Sequence, residues 1–224
     1  QYQEGDLDFV SSLLEDKGIA YHYEHHPGEL CLVLADFDGG RIVVPDDLAC
    51  APNLLGRELF GWTAGGRLRP RSVVLDDVDW TRPDLDLLAT AAGPASDFAT
   101  IEQPGGYQAT RQAGETLAEK RLEQLDAERR FARAQTACRT LVAGSVVRME
   151  HAGRAPGRYL VIASEARFSH PDGFGVGDDG EATYRSSLQL LACGDHCESR
   201  FRPARRTRRP RVHGTQTAYV TADP

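Results

Sequence analysis

Residues 6–36, DLDFVSSLLEDKGIAYHYEHHPGELCLVLAD, change hydrophobic period within one short run, and that change restricts the folds open to the chain. Leu7, Val10 and Leu14 fall on one helical stripe with Phe9 and Leu13 beside it. Asp6 stands where a helix cap is expected and Gly18 where a helix stops. From Ile19 the spacing becomes two, with Ile19, Tyr21 and Tyr23 on one side and Ala20, His22 and Glu24 on the other. Pro27-Gly28-Glu29 then turns the chain into a second apolar segment, LCLVLAD. The spacing predicts a short amphipathic helix feeding a hairpin. Such an α+β unit cannot bury much surface unless it leans on another domain or subunit.

Further along, GGRIVVP reads as a strand, and residues 46–71 read as loops, broken by proline and glycine, that pack Leu54, Leu55, Phe60 and Trp62. SVVLDDVDW is a strand candidate ended by Pro83, and ATAAGPASDFA is a stretch of small and polar residues. Pro104 with Gly105 and Gly106 forces a turn or an extended crossing. A helix is predicted from about Arg111 to Arg133, with Ala118, Leu122 and Leu125 as its apolar stripe. Four strand candidates follow: SVVRMEH, GRYLVIASEARFSH, TYRSSLQLLAC and TQTAYVTA. The fold class read from this order is mainly β with α+β elements: an antiparallel, barrel-like domain plus a small helix-hairpin domain. Closure is expected because it removes the edges that short strands expose. The divisions fall at residues 1–71, 72–214 with the inserted helix at about 111–133, and 215–224, where a further strand starts.

Motifs of catalysis are sparse. His22, Glu24 and His26 share one strand parity and could form a ligand row, but Pro27 disturbs its end and solvated rows of this kind need no metal. Cys193, His196 and Cys197 lack the second ligand pair of a structural zinc site. The acid pairs Asp36/Asp38, Asp46/Asp47, Asp76/Asp77 and Asp178/Asp179 sit beside predicted turns or strand ends, where solvated carboxylates are ordinary. No GxSxG or GxxxxGK[ST] motif occurs, and the GFGVG run at 173–177 is ringed by acids that would repel a phosphate. No cofactor, metal or catalytic residue is expected. No run approaches the apolar length of a spanning helix, and no signal peptide is visible. The start at Gln1 and the stop at Pro224 suggest a fragment cut from something longer.

The sharpest charge feature is RPARRTRRPRVHG, residues 202–214. It holds six arginines (Arg202, Arg205, Arg206, Arg208, Arg209 and Arg211) in a chain of formal net charge -7. A nucleic-acid arm would be flexible and interleaved with lysine, aromatics or glycine, whereas Pro203 and Pro210 favour an extended backbone here. Arginine forks on an extended segment pair with carboxylates, which the acidic remainder of the chain supplies. The preferred reading is therefore an electrostatic strap, within or between subunits, with nucleic-acid binding as the competing reading.

Several segments taken together resemble one family. Gln1, Tyr2, Glu4, Asp6, Phe9, Val10, Leu13, Leu14, Glu15, Gly18, Ile19, Tyr21, Tyr23, His25 and Leu32 to Asp36 fall in one pattern. QPGGY, with Pro104, Gly105 and Tyr107, follows in order, and so does the helix carrying Gly114, Ala118, Arg121, Leu122 and Glu123. The arginine-rich segment ends in Val212, His213, Gly214, Gln216, Thr217 and Ala218. This pattern resembles the VgrG family, the spike and hub proteins of type VI secretion, and their relatives in contractile phage tails. The match is weak over 41–100, Gln103 stands where the family has tyrosine, and the HPGE turn is shorter than in relatives.

The resemblance implies part of a trimeric hub that joins the inner tube to the puncturing spike and transmits the thrust of contraction, with no catalysis in this segment. The spike would follow through an oligonucleotide-binding-like domain. Implied partners are further copies in a homotrimer, the inner tube ring, baseplate proteins and effectors; nucleic acid is not expected. Assembly in the bacterial cytoplasm and then injection is the implied itinerary. A contractile phage tail hub is the alternative within the same family.

Overall fold

The structure is a computed structural model that describes residues 3–36, 42–43, 59–93, 98–149, 157–169, 183–193, 201–211, 213–215, 217 and 219. In chain order its elements are α1 (Asp6–Lys17), β1 (Ala20–His26), β2 (Glu29–Ala35), β3 (Ile42–Val43), β4 (Leu59–Gly66), β5 (Ser72–Leu75) and β6 (Ala89–Ala92). β7 (Ala99–Glu102), α2 (Arg111–Ala127), β8 (Arg130–Thr136), β9 (Ser145–Met149), β10 (Gly157–Ser169) and β11 (Thr183–Cys193) complete it.

The opening unit forms as its periodicity dictates. Gly18 closes α1 in the left-handed region at φ 70°, its N–H reaching Glu15 O at 3.1 Å while the Ile19 N–H reaches Leu14 O at 2.9 Å. This is the paired C-terminal bonding that glycine permits without steric penalty. β1 and β2 pair antiparallel from Ala20↔Ala35 to His26↔Glu29, leaving Pro27 and Gly28 as a two-residue loop with Gly28 at φ 82°.

The expectation of a barrel is overturned. Among the described residues the strands form three separate sheets: the β1-β2 hairpin, a six-stranded sheet ordered β3-β9-β10-β11-β8-β4, and a three-stranded sheet ordered β6-β5-β7. Among the described residues no sheet is closed, and the fold they show is mixed α/β with largely antiparallel open sheets and two helices. Its edges are handled by other means. The described part of β3 is two residues, and β4 carries a register shift between Phe60 and Thr63, an irregularity that spoils an edge as a pairing template.

Other differences have local causes. α2 stops at Ala127 rather than Arg133, because period two takes over: Ala132, Ala134 and Thr136 point inward and Arg133 and Gln135 outward. Alanine's helix propensity hides that alternation, and pairing with β11 and β4 decides it. β4 lies in a segment expected to be loop, β6 opens the stretch of small residues, and β7 begins at that stretch's last residue, Ala99. The described members of the last strand candidate, Thr215, Thr217 and Tyr219, are in no strand. Leu54, Leu55, Asp38, Asp46, Asp47, Asp178, Asp179 and the glycine run at 173–177 lie outside the described residues.

Two cores result. Ala132, Ala134, Leu141, Val147, Tyr159, Val161, Leu188 and Leu190 pack on the six-stranded sheet, with Trp62 edge-on to Tyr159 at 5.0 Å between ring centroids. Val73, Leu75, Leu87, Ala89, Ala91 and Tyr107 form the second core, which α2 closes through Ala118, Leu117, Leu122 and Leu125. Thr110 caps α2 by accepting the Ala113 N–H at 3.2 Å.

Tyr107 organises the second core. Its hydroxyl donates to Leu87 O, with Leu75 O also at 3.1 Å. Its ring fits between two glycines, for a Cβ would come within 2.5 Å of the ring at Gly105 and 2.4 Å at Gly114. Burial, followed by the nearby Asp76, Asp77 and Asp86 charges, holds its ionisation above the ordinary phenol range. Asp77 fixes the loop from outside, its Oδ2 accepting the Gly106 N–H at 2.7 Å and the Tyr107 N–H at 3.2 Å.

Gly114→Ala is expected to destabilise the fold by about 1–3 kcal/mol despite alanine's better helix propensity, because the new methyl overlaps Tyr107 and Ala89; urea denaturation checks this. Asp77 titrates below its ordinary value, since the slight burial that pushes it up is outweighed by the N–H groups of Val78, Gly106 and Tyr107. Its contribution is therefore present above the unfolded carboxylate pKa of about 3.9 and is lost as pH falls through the lower folded value. Asp77→Asn should flatten the loss of stability measured below about pH 4.

Candidate functional site

Two surfaces stand out once the side chains are placed. The first is the arginine segment. Residues 201–211 run without helix or strand, so their position depends on side-chain and capping contacts. Arg202 is only 3% exposed. Its Nε donates to Glu123 Oε2 at 2.6 Å, and its Nη1 donates to Gly18 O at 3.0 Å and to the Asp36 carboxylate. Burial lowers its affinity for the proton, but the bonds to Glu123 and Asp36 prevail and hold it above the ordinary guanidinium value. Gly18 is required twice over, for its positive φ and because a Cβ there would lie 2.5 Å from Arg202 Cδ.

Next along the segment, Pro203 O accepts from Gln124 Nε2 at 2.9 Å. The same amide nitrogen donates to Glu15 O at 2.7 Å, and Gln124 Oε1 accepts from Arg121 Nη1 at 3.0 Å. The N–H groups of Arg206 and Thr207 both reach Glu15 Oε2 at 3.0 Å, and the Thr207 hydroxyl reaches Glu15 Oε1 at 2.9 Å. Arg205 pairs with Glu102, Arg206 with Glu128 and Arg209 with Asp16. Arg202, Arg205, Arg206 and Arg209 are thus engaged within their own chain, while Arg208 and Arg211 face outward with no ion pair among the described residues.

The second surface is apolar. Tyr21 opposes Leu34, Tyr23 opposes Leu32 and His25 opposes Leu30, so these six share one face of the hairpin. That face is open, with Leu30, Leu32 and Leu34 each about half accessible or more. Leu7, Val10 and Leu13 of α1 are likewise exposed, and the helix touches the hairpin through the Ser11 Oγ to Tyr21 hydroxyl contact at 3.1 Å. The opposite face turns inward: His22 is buried against Gly144, where a Cβ would come within 2.7 Å of the imidazole. The hydrophobic-in rule is inverted for this hairpin. The sequence did carry a signal, because in ELCLVLA both parities are apolar, the pattern of a strand with both faces covered.

The remaining expected residues are scattered. Glu24 accepts from or pairs with His22 and His26 at 3.3 and 3.2 Å, yet no group of three or more ligating side chains among the described residues could hold a metal. Asp6 lies in the first turn of α1, Phe9 and Leu14 are half-buried, and Glu4 is half-buried ahead of the helix. Pro104 follows a cis peptide and Leu122 packs into the second core. His213 is exposed and Gly214 has φ 90°. Tyr2, Val212, His196 and Cys197 lie outside the described residues; Cys193 is buried at the end of β11.

The burial contrast within the arginine segment sets its energetics. Arg202→Met removes the buried member and leaves Glu123 and Asp36, which are 35% and 62% exposed, to water, so it should cost about 1–3 kcal/mol in lost hydrogen bonds, whereas Arg209→Gln, at a pair more than half exposed on the arginine side, should cost less than about 1 kcal/mol. Guanidinium-free denaturation by urea at low and high salt checks both, with salt erasing only the second difference.

Comparison with known proteins places this geometry. Residues 1–171 match the family described as phage tail baseplate hub (GPD). The chain is 32% identical over 235 residues to the type VI secretion system spike protein VgrG1a of Pseudomonas aeruginosa, covering 98% of this chain and 35% of that protein. It is 31% identical to VgrG1c of the same organism, again over 98% of this chain and 31% of the relative. The chain therefore spans about a third of the length of these curated relatives. A solved E. coli protein, described as a component of the type VI secretion system with similarity to bacteriophage T4 tail proteins, shares the fold. Its TM-score is 0.57 at 16% identity, over 96% of this chain and 44% of that one. With its match running through the helix-hairpin unit, the three-stranded sheet, α2 and on to residue 171, the chain belongs to the phage tail baseplate hub family that includes the VgrG spike proteins.

Proposed function

We propose that this chain is a structural hub segment of a type VI secretion spike, joining the inner tube to the puncturing spike and carrying the thrust of contraction. The apolar surface of α1 and the β1-β2 hairpin carries the reading. Leu7, Val10, Leu13, Tyr21, Tyr23, Leu30, Leu32 and Leu34 are between 38% and 63% exposed. Open runs of large apolar side chains of this kind mark interaction surfaces, and a standard interface buries about 800 Å² per partner. The occupant proposed is a second copy of the chain, within a homotrimer, since cyclic symmetry covers such a face in every protomer at once.

The spike-protein names of the matched relatives support secretion over a phage tail. An inner tube ring, baseplate proteins and effectors are the further partners of the proposed assembly, which forms inside the bacterial cell before injection. The chemistry of the described residues supports a mechanical rather than catalytic part: the acids and arginines of the strap are used on each other, and His22, Glu24 and His26 are bonded in a row.

In the full-length protein, Leu13→Asp with Leu32→Asp should convert a trimer into monomers by native mass spectrometry while leaving the circular dichroism spectrum unchanged. A full-length parent that is itself monomeric would remove the hub reading; a variant that stays trimeric would remove only this face from it.

A further inference from the structure

Beside α2 lies a cleft of about 190 Å³ lined by Arg69, Glu102, Arg121, Gln124, Glu128 and Arg205 among others. Three guanidiniums line it against two carboxylates, and those carboxylates are already committed: Glu102 to Arg205, and Glu128 to Arg67, Arg69 and Arg206 together. Arg121 is 5% exposed and uses Nη1 on Gln124, but its Nε makes no hydrogen bond, and neither does the buried Nε of Arg69. Arg121 forms only long ion pairs, Asp16 Oδ1 at 3.6 Å from Nη2 and Glu102 Oε2 at 3.9 Å from Nε, both beyond hydrogen-bond distance. A buried N–H donor of a charged group left unbonded is costly, and such groups in native proteins ordinarily find a partner.

We propose that this cleft binds a small oxyanion that accepts from the Nε–H groups of Arg121 and Arg69. The anion balances the local excess of guanidinium, and it ties α2 and the β4-β5 connection to the strap at Arg205. The electrostatics agree. The Arg121 guanidinium is pushed down to about 10, first by burial and then by the Arg205 charge, with Glu102 only partly opposing them; an anion in the cleft would reverse that shift. The shared chemistry is that of a free phosphate ion or of a carboxylate brought by a partner's side chain.

The inference is independent of the hub reading and is tested on the chain alone. Inorganic phosphate is titrated against sodium acetate and against sodium chloride at matched ionic strength, reading the melting temperature and the ³¹P line width, for the wild type, Arg69→Gln and Arg121→Lys. A saturable rise in melting temperature with phosphate, weakened at least tenfold in apparent affinity by Arg69→Gln, supports the site. Phosphate alone acting assigns a free ion, and acetate acting equally well assigns a carboxylate. Because Arg69 is partly exposed, its variant stays informative if the Arg121 variant does not fold. No saturable response to either oxyanion beyond that to chloride, or the same response in wild type and Arg69→Gln, overturns the proposal.

Discussion

A guanidinium that is 3% exposed has to be neutralised where it sits, and in this protein that requirement holds the pieces together. Arg202 meets it with Glu123 from α2, Asp36 just beyond β2 and the carbonyl that ends α1. Three elements distant in sequence are thereby fixed to one side chain. The wrong partner at any of the three positions leaves a buried charge unanswered, which gives a segment with no backbone ladder a single place to lie. Gln124 repeats the device with neutral groups, joining Glu15 O and Pro203 O through one amide.

The strap also accounts for an acidic chain carrying a dense basic segment. The formal charge of -7 is a sum over parts that face each other: Glu15, Asp16, Glu102 and Glu128 lie where Arg205, Arg206, Thr207 and Arg209 pass. Mutual pairing draws four arginines inward and leaves Arg208 and Arg211 on the surface. Electrostatics and packing therefore work on different scales here. The apolar cores hold the sheets, and the ion pairs set how the helices and the extended segment seat on them.

Much of the local structure was legible from period alone. α1, its glycine stop, the hairpin with its Pro-Gly loop, and β9 to β11 all follow from spacing that agrees with the tertiary outcome. What was hidden has physical causes. Alanine is neutral to the eye between helix and strand, so β6 and the Ala132–Ala134 alternation in β8 depended on neighbours supplied from elsewhere. Whether a sheet closes is decided by its outermost strands, and β4, which lies at one edge, sits in a segment punctuated by Gly61, Gly65 and Gly66. The extended character of the arginine segment was readable from Pro203 and Pro210, but its acceptors come from four separate stretches, the end of α1, Asp36, Glu102 and α2 with its cap, and no spacing links them. The open face left a trace: Leu30, Leu32 and Leu34 alternate with Cys31, Val33 and Ala35, so both faces of the strand call for apolar cover.

The gradient of burial along the strap has a mechanical meaning. Arg202 is sealed, whereas Arg206 and Arg209 are 63% and 58% exposed, so the firm contact lies at the start of the segment and the looser ones beyond it. A pull on residue 211 would loosen the outermost pair first and pass inward link by link, stretching before it reached the sealed anchor. The segment would yield gradually under a sudden jolt while its root stayed bolted to both helices.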